Sequence, residues 1–256
     1  MNFGTFGLPK GSGLNSGLFG VVSTFIISKN LWTPVIITPQ LWFDSADTST
    51  IIQSGGLMTQ WTNKGVASNN ATATTPQQPT YGIHQLNGKN LVSVRGSGIG
   101  MTTGYTLNAP YTIVLVSRNA LGGRVVQSDS VNALMCPANR VNSFYVNSDI
   151  RSASLTSVGQ WSTITMQILG INPSRLWYNS VDYANGGTHG NWGGFNIGAV
   201  GTNNENADAE IAEILVFNYT LNTEQREQCE GYIAHKWNLL ADLPTSHLYK
   251  INPPEV

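Results

Sequence analysis

Three carboxylates crowd one short run near the C-terminal end of the chain, Asp208, Glu210 and Glu213 in the stretch DAEIAE. On a strand, side chains two apart share a face, so Asp208 and Glu210 stand as the acid and nucleophile of a glycoside hydrolase would. The bland alternative is three solvated or turn-anchoring acids. A second constellation is oxygen-rich: Asp44, Asp47, Asp182 and Asp208 are candidate ligands for calcium, although Asp44 and Asp47 can equally cap turns. A third is the loop from Tyr183 to Trp192, where Tyr183, Asn185, Thr188, His189, Asn191 and Trp192 combine aromatic faces with amides and a hydroxyl. Rings stack on sugars and amides read hydroxyls, so such a loop could grip a glycan. Against that stands the tendency of tryptophan to be buried, which would tuck Trp192 into a core.

Other chemistries find little footing. The four histidines, His84, His189, His235 and His247, have no His or Cys partner at ligand spacing, and His235 beside Lys236 suits the negative end of a helix dipole. Gly96, Gly98 and Gly100 lack the lysine of a phosphate loop and read as a connection between strands. Cys136 and Cys229 make no disulfide framework and read as unpaired thiols, with Cys229 on an apolar helix face. Charged residues are only 11% of the 256 and the net charge is -1, which argues against nucleic acid and anionic membrane as partners. The run Leu18 to Ile27 is broken by Ser23 and Thr24 and is too short to span a bilayer, and no basic flank or clean cleavage site marks a signal peptide.

Strands must position these groups. Short runs rich in β-branched and aromatic residues recur at Val35 to Ile37, Leu41 to Phe43, Leu91 to Val94, Tyr111 to Ser117, Arg124 to Gln127, Ser143 to Val146, Trp161 to Leu169, Arg175 to Tyr178, Gly194 to Gly198 and Ile211 to Tyr219. Glycine pairs and Asn-Gly turns separate them, the pattern of an all-β sandwich. One helix is expected over about 222–240: Asn222 and Gln225 form a capping box, and Cys229, Tyr232, Ile233, Trp237 and Leu240 share a face. The strand before it, dense in apolar residues, reads as covered on both sides.

Two ends of the chain resemble one family. The strand IAEI, the helix core GYIAHKW and the tail residues Leu243, Pro244, His247, Tyr249 and Lys250 are similar to the closing segment of laminin-G-like, concanavalin-A-like jelly-roll domains of bacteriophage and bacterial surface proteins. The opening matches too, through LWFDSAD at 41–47, Gly56, Trp61, Asn63-Lys64-Gly65, Asn70-Ala71-Thr72, Gln78-Pro79-Thr80-Tyr81 and Asn87-Gly88-Lys89. The resemblance implies a concanavalin-A-like jelly-roll sandwich of two antiparallel sheets over 31–256, with one C-terminal helix. It also weakens the catalytic reading, because hydrolases of this fold carry Glu-x-Asp and a later Glu, whereas Asp208 and Glu210 stand in swapped order.

Residues 1–30 differ from the rest, with Phe3, Phe6, Leu8, Leu14, Leu18 and Phe19 spaced among glycines. They form no core alone and are expected to be an extended arm that docks on another subunit or partner. The expectation is therefore a non-enzymatic structural protein of a phage virion surface, a capsid decoration or a head or tail fibre module. Other virion proteins, a second copy and host surface glycan are the expected partners. A carbohydrate-active enzyme or free lectin of the same fold is the alternative.

Overall fold

The structure, a computed structural model, describes residues 30–120, 123–135, 143–146, 149–151, 158–170, 174–186, 190–200 and 205–256. The arm with its six apolar anchors, Cys136, Thr188 and His189 lie outside the described residues.

The fold is an all-β sandwich with one α-helix among the described residues. The strands are β1 (Leu41–Asp44), β2 (Ile51–Ser54), β3 (Leu57–Trp61), β4 (Ala71–Thr72), β5 (Thr80–Leu86) and β6 (Lys89–Arg95). Next come β7 (Gly100–Leu107), β8 (Tyr111–Asn119), β9 (Val126–Ser128), β10 (Ala133–Met135), β11 (Ser143–Val146) and β12 (Asp149–Arg151). The last are β13 (Trp161–Ile168), β14 (Ser174–Tyr178), β15 (Val181–Gly186), β16 (Gly193–Gly198) and β17 (Asp208–Phe217), followed by α1 (Thr223–Trp237). Every pairing is antiparallel. In one layer β17 is flanked on one side by β6 and β1 in turn and on the other by β8, with β13, β14 and β15 beyond. In the other, β3, β4 and β7 lead to β16, then β9, β10, β11 and β12. β5 ladders with β6 and touches β3, so one edge is hydrogen-bonded across the layers.

Alternation along the central strands builds two cores. Leu41 and Phe43 of β1, Ile113 and Leu115 of β8, and Ile214 and Val216 of β17 join Trp61, Met101, Phe195 and Ile197 between the layers. Their neighbours Trp42, Val114, Val116, Leu215 and Phe217 face outward and meet Cys229, Ile233 and Trp237 of α1. Covered on both faces, these strands have no polar side to show, which is why their sequences are nearly unbroken apolar runs.

The helix begins as its capping box predicts: Asn222 Oδ1 accepts from Gln225 N at 2.9 Å and Gln225 Oε1 from Asn222 N at 3.1 Å. It ends at Asn238, whose left-handed φ of 59° stops the run. The C-terminal tail then crosses back over it. A side chain at Gly231 would sit 2.4 Å from Tyr249 Cβ, which explains the glycine in the GY motif. Lys250 holds the crossing by donating to Leu243 O at 2.7 Å.

Two expectations change. Val35 to Ile37 is a 3-10 turn, Pro34–Ile37, because Pro34 at its start fixes a helical φ and supplies no ladder donor. The polar strands β2, β3, β5 and β7 carry too few β-branched residues in strict alternation to show in sequence, and only pairing with neighbours reveals them.

Candidate functional site

A bulge in β17 decides what its carboxylates do. Ile211 pairs with Ser117 and Glu213 with Val116, leaving Ala212 extra. Strict alternation from Ile211 would drive Glu213 into the sandwich interior; the bulge turns Ala212 and Glu213 together toward the helix. There Glu213, wholly buried, accepts from Trp42 Nε1 at 2.7 Å, Tyr232 Oη at 3.2 Å, Trp237 Nε1 at 2.7 Å and Lys236 Nζ at 2.8 Å. Lys236 also reaches Asp44 at 2.7 Å, and Asp44 and Asp47 share Lys64 at 3.0 and 2.8 Å. Burial, and after it the charge of Glu213, pushes the Tyr232 phenol far up, so it stays a neutral donor. Burial likewise pushes the Cys229 thiol well up, making it an inert hydrophobe.

The other acids are also committed. Glu210 is buried against Arg95 and against Arg118 Nε at 2.8 Å, and Asp208 pairs with Arg95 at 2.5 Å. Side by side on the outer face of β17, these two carboxylates are neutralised by guanidinium groups, an arrangement that anchors strands. Asp182 pairs with Arg175 on the neighbouring strand. Each of the four expected calcium ligands thus faces a lysine or arginine. Among the described residues no group of three acids, histidines or cysteines converges.

The predicted glycan loop divides. Trp192 is fully buried, edge-on to Tyr111 at 6.3 Å between ring centroids and close to Phe195 at 6.1 Å. It is a core residue and offers no face to a sugar, because the layers close over so large a ring at the start of β16. Tyr183 remains exposed, edge-on to Tyr178, and Asn191 is exposed with its Oδ1 accepting from Ala109 N at 3.1 Å. Asn185 contributes its backbone to the β14–β15 ladder.

Immediately after Trp192 lies a site that sequence reading missed. The turn between β9 and β10 opens a polar pocket of about 390 Å3 lined by Arg124, Ser128, Asp129, Ser130, Val131 and Asn132. Ser128 Oγ shapes the turn by accepting from the amides of Ser130 and Val131, both at 3.1 Å. Asp129 is clamped to β16: its Oδ1 accepts from Gly194 N at 3.0 Å and its own N donates to Gly194 O at 3.1 Å. A Cβ at Gly194 would stand 2.1 Å from Asp129 Oδ2, so only glycine allows the clamp.

Arg124 is the unusual member. It is 8% exposed, with one terminal nitrogen 3.2 Å from Asn132 Oδ1 and 2.8 Å from Glu205, yet its Nε–H has no partner among the described residues. A buried donor left unsatisfied costs about 1–3 kcal/mol, although the core groups Trp61 Nε1, Tyr111 Oη and Trp192 Nε1 share that state, so the pocket's lining as a whole carries the reading. Fixed donors on Arg124 beside the acceptors of Asp129, Ser130 and Asn132 suit adjacent hydroxyl groups, each of which gives one hydrogen bond and takes another. The available signals were the Ser-Asp-Ser turn and the glycine pair Gly193-Gly194, but nothing in sequence shows that they meet.

No known protein family matches the chain, and no curated protein does. Solved structures do. The binding domain of Paraclostridial Mosquitocidal Protein 1 aligns over 76% of this chain and 52% of that one, with TM-score 0.57 and 10% identity. Domain 4 of AbnA, a GH43 extracellular arabinanase from Geobacillus stearothermophilus solved with arabinotriose, aligns over 73% and 96% with TM-score 0.49 and 13% identity. The botulinum neurotoxin serotype G binding domain aligns over 73% and 50% with TM-score 0.47 and 11% identity. The first of these shows a shared fold, and the chain spans about half that structure's length.

Proposed function

We propose that the protein is a non-enzymatic binding module that holds a glycan in the pocket beside Arg124, and that it serves as a structural component of a phage virion surface. The observation that carries the binding reading is the open polar pocket lined by Arg124, whose buried Nε–H has no partner among the described residues. The fold it shares with a toxin binding domain supports a binding role, and the arginine-paired state of Asp208 and Glu210 supports the absence of catalysis. The virion setting, capsid or tail, rests on the family resemblance of the two chain ends and on the expected anchoring arm.

Glycan-array screening of the full chain, followed by calorimetry with the best hit, tests the binding reading. Arg124→Lys and Gly194→Ala should each weaken binding at least about tenfold, roughly 1.4 kcal/mol, with the fold retained. Unchanged affinity in both variants, or hydrolysis of the sugar, overturns it. Antibody-labelled electron microscopy of particles tests the setting, and particles without label would refute it.

A further inference from the structure

The chain enters and leaves the described fold at one place. Trp32 N donates to Pro254 O at 3.0 Å, Val256 N donates to Asn30 O at 2.9 Å, and Leu31 bridges Glu255. Between this short ribbon and the last turns of α1 lies an apolar cavity of about 260 Å3, lined chiefly by Leu31, Trp32, Tyr232, Pro253 and Pro254. A cavity of about 150 Å3 already accepts a benzene ring, so this one has room for a phenylalanine side chain and some of its backbone. The Trp32 indole is buried in this wall, and its N–H has no partner among the described residues. Leu31 is itself exposed, and so are Val35 and Ile36 shortly after it in the chain and Leu248, Ile251 and Val256 on the tail that pairs with it, Ile251 to 84%. That is a concentration of large aliphatic side chains of the kind that marks an interaction surface.

Twenty-nine residues precede this ribbon, and they carry Phe3, Phe6, Leu8, Leu14, Leu18 and Phe19 at intervals in a glycine-rich backbone. We propose that the cavity receives the N-terminal arm of a second copy of this chain, so that two copies exchange arms about a two-fold axis. Donor and receptor lie side by side, as an isologous contact requires: two copies placed face to face each hand an arm across a short gap. The same approach buries both rims. An arm folded back into its own cavity would leave Ile36, Ile251 and Val256 in water. The inference deepens the anchoring part of the proposed function and is independent of the glycan pocket.

Sedimentation equilibrium of the full chain tests it, alongside an arm variant, Phe3→Ser with Phe6→Ser and Phe19→Ser, and a rim variant, Leu31→Asp with Ile36→Asp. The rim positions are exposed, so folding should survive, and circular dichroism checks this; Ile251→Asp replaces the rim pair if it does not. A dimer whose dissociation constant rises at least tenfold in both variants is expected. A monomeric wild type, a dimer indifferent to the arm variant, or one indifferent to the rim variant overturns the proposal. Glycan binding by the same samples should not change, which separates a failure here from a failure of the pocket.

Discussion

Glu213 under the helix and Arg124 beside the β9–β10 turn are both charged groups withdrawn from water, and they are built to opposite specifications. Glu213 receives two indole N–H groups, a phenol and an ammonium, and its ammonium partner is shared with a second carboxylate. Arg124 lies against an open pocket and keeps a donor without a partner among the described residues. Complete satisfaction in a closed site fixes a fold: the network draws together β1, β17, α1 and the loop carrying Lys64. Incomplete satisfaction at an open site leaves interaction free energy for a ligand. The acids of the IAE strand therefore belong to the scaffold, and the proposed binding chemistry sits where the sequence is plain.

The most severe break of this contrast is Glu213→Ala. It strands two buried indole donors and the Tyr232 phenol and leaves the half-buried Lys236 with Asp44 alone, and unfolding free energy should fall by about 3–5 kcal/mol in a urea titration. A loss below about 1 kcal/mol would mean that the network does not hold the helix.

Arg226 and Glu230 offer a second closed site, paired at 2.5 Å on the buried face of α1 with the guanidinium over Trp177. Arg226→Ala should cost about 3 kcal/mol, while replacing both by methionine should recover most of it, since an apolar pair of similar volume fills the same space. If the double variant is no better than the single one, the pair contributes more than mutual neutralisation.

A smaller effect appears on titrating the exposed end of the Glu213 network. The hydrogen bond from Lys64 leads in holding the Asp47 carboxyl below its ordinary 3.8, so its stabilising contribution is present above that value and is lost as pH falls through the lower folded one. Burial pulls the Lys64 ammonium down, but Asp47 and Asp44 together outweigh burial and leave it above its ordinary 10.5. Its contribution is complete below 10.5 and disappears as pH rises beyond. The difference in melting temperature between wild type and Asp47→Asn should therefore be flat from about pH 5 to 10 and shrink on both sides. A difference that persists at about pH 2 would remove Asp47 from the network.

Much of the scaffold was legible because it is local. Asn222 and Gln225 announce the cap within four residues, and the apolar runs of β8 and β17 announce strands covered on both faces. The stripe of α1 was only half legible: Cys229, Ile233 and Trp237 show it, but the charged Arg226 and Glu230 complete it, because each neutralises the other four residues away. The role of Glu213 depends on one extra residue in a ladder, and alternation alone predicts the wrong face. The pocket was not legible, since Arg124 and Gly194 are joined by pairing across the second layer. Trp192 misled for the converse reason: a loop of sugar-binding composition runs straight into a buried position.

The mildest intervention is Arg124→Lys read by stability. A lysine ammonium still reaches toward the half-buried Glu205, and the substitution removes the Nε–H that has no partner among the described residues. Unfolding free energy should therefore change by less than about 1 kcal/mol, in either direction, because the lost hydrogen bond to Asn132 is offset by relief of an unsatisfied donor. The closed sites would lose several times as much from a comparable change. A loss of about 3 kcal/mol at Arg124 would show that this arginine is a strut of the β9–β10 turn, and the contrast between a closed network that holds and an open one that binds would collapse.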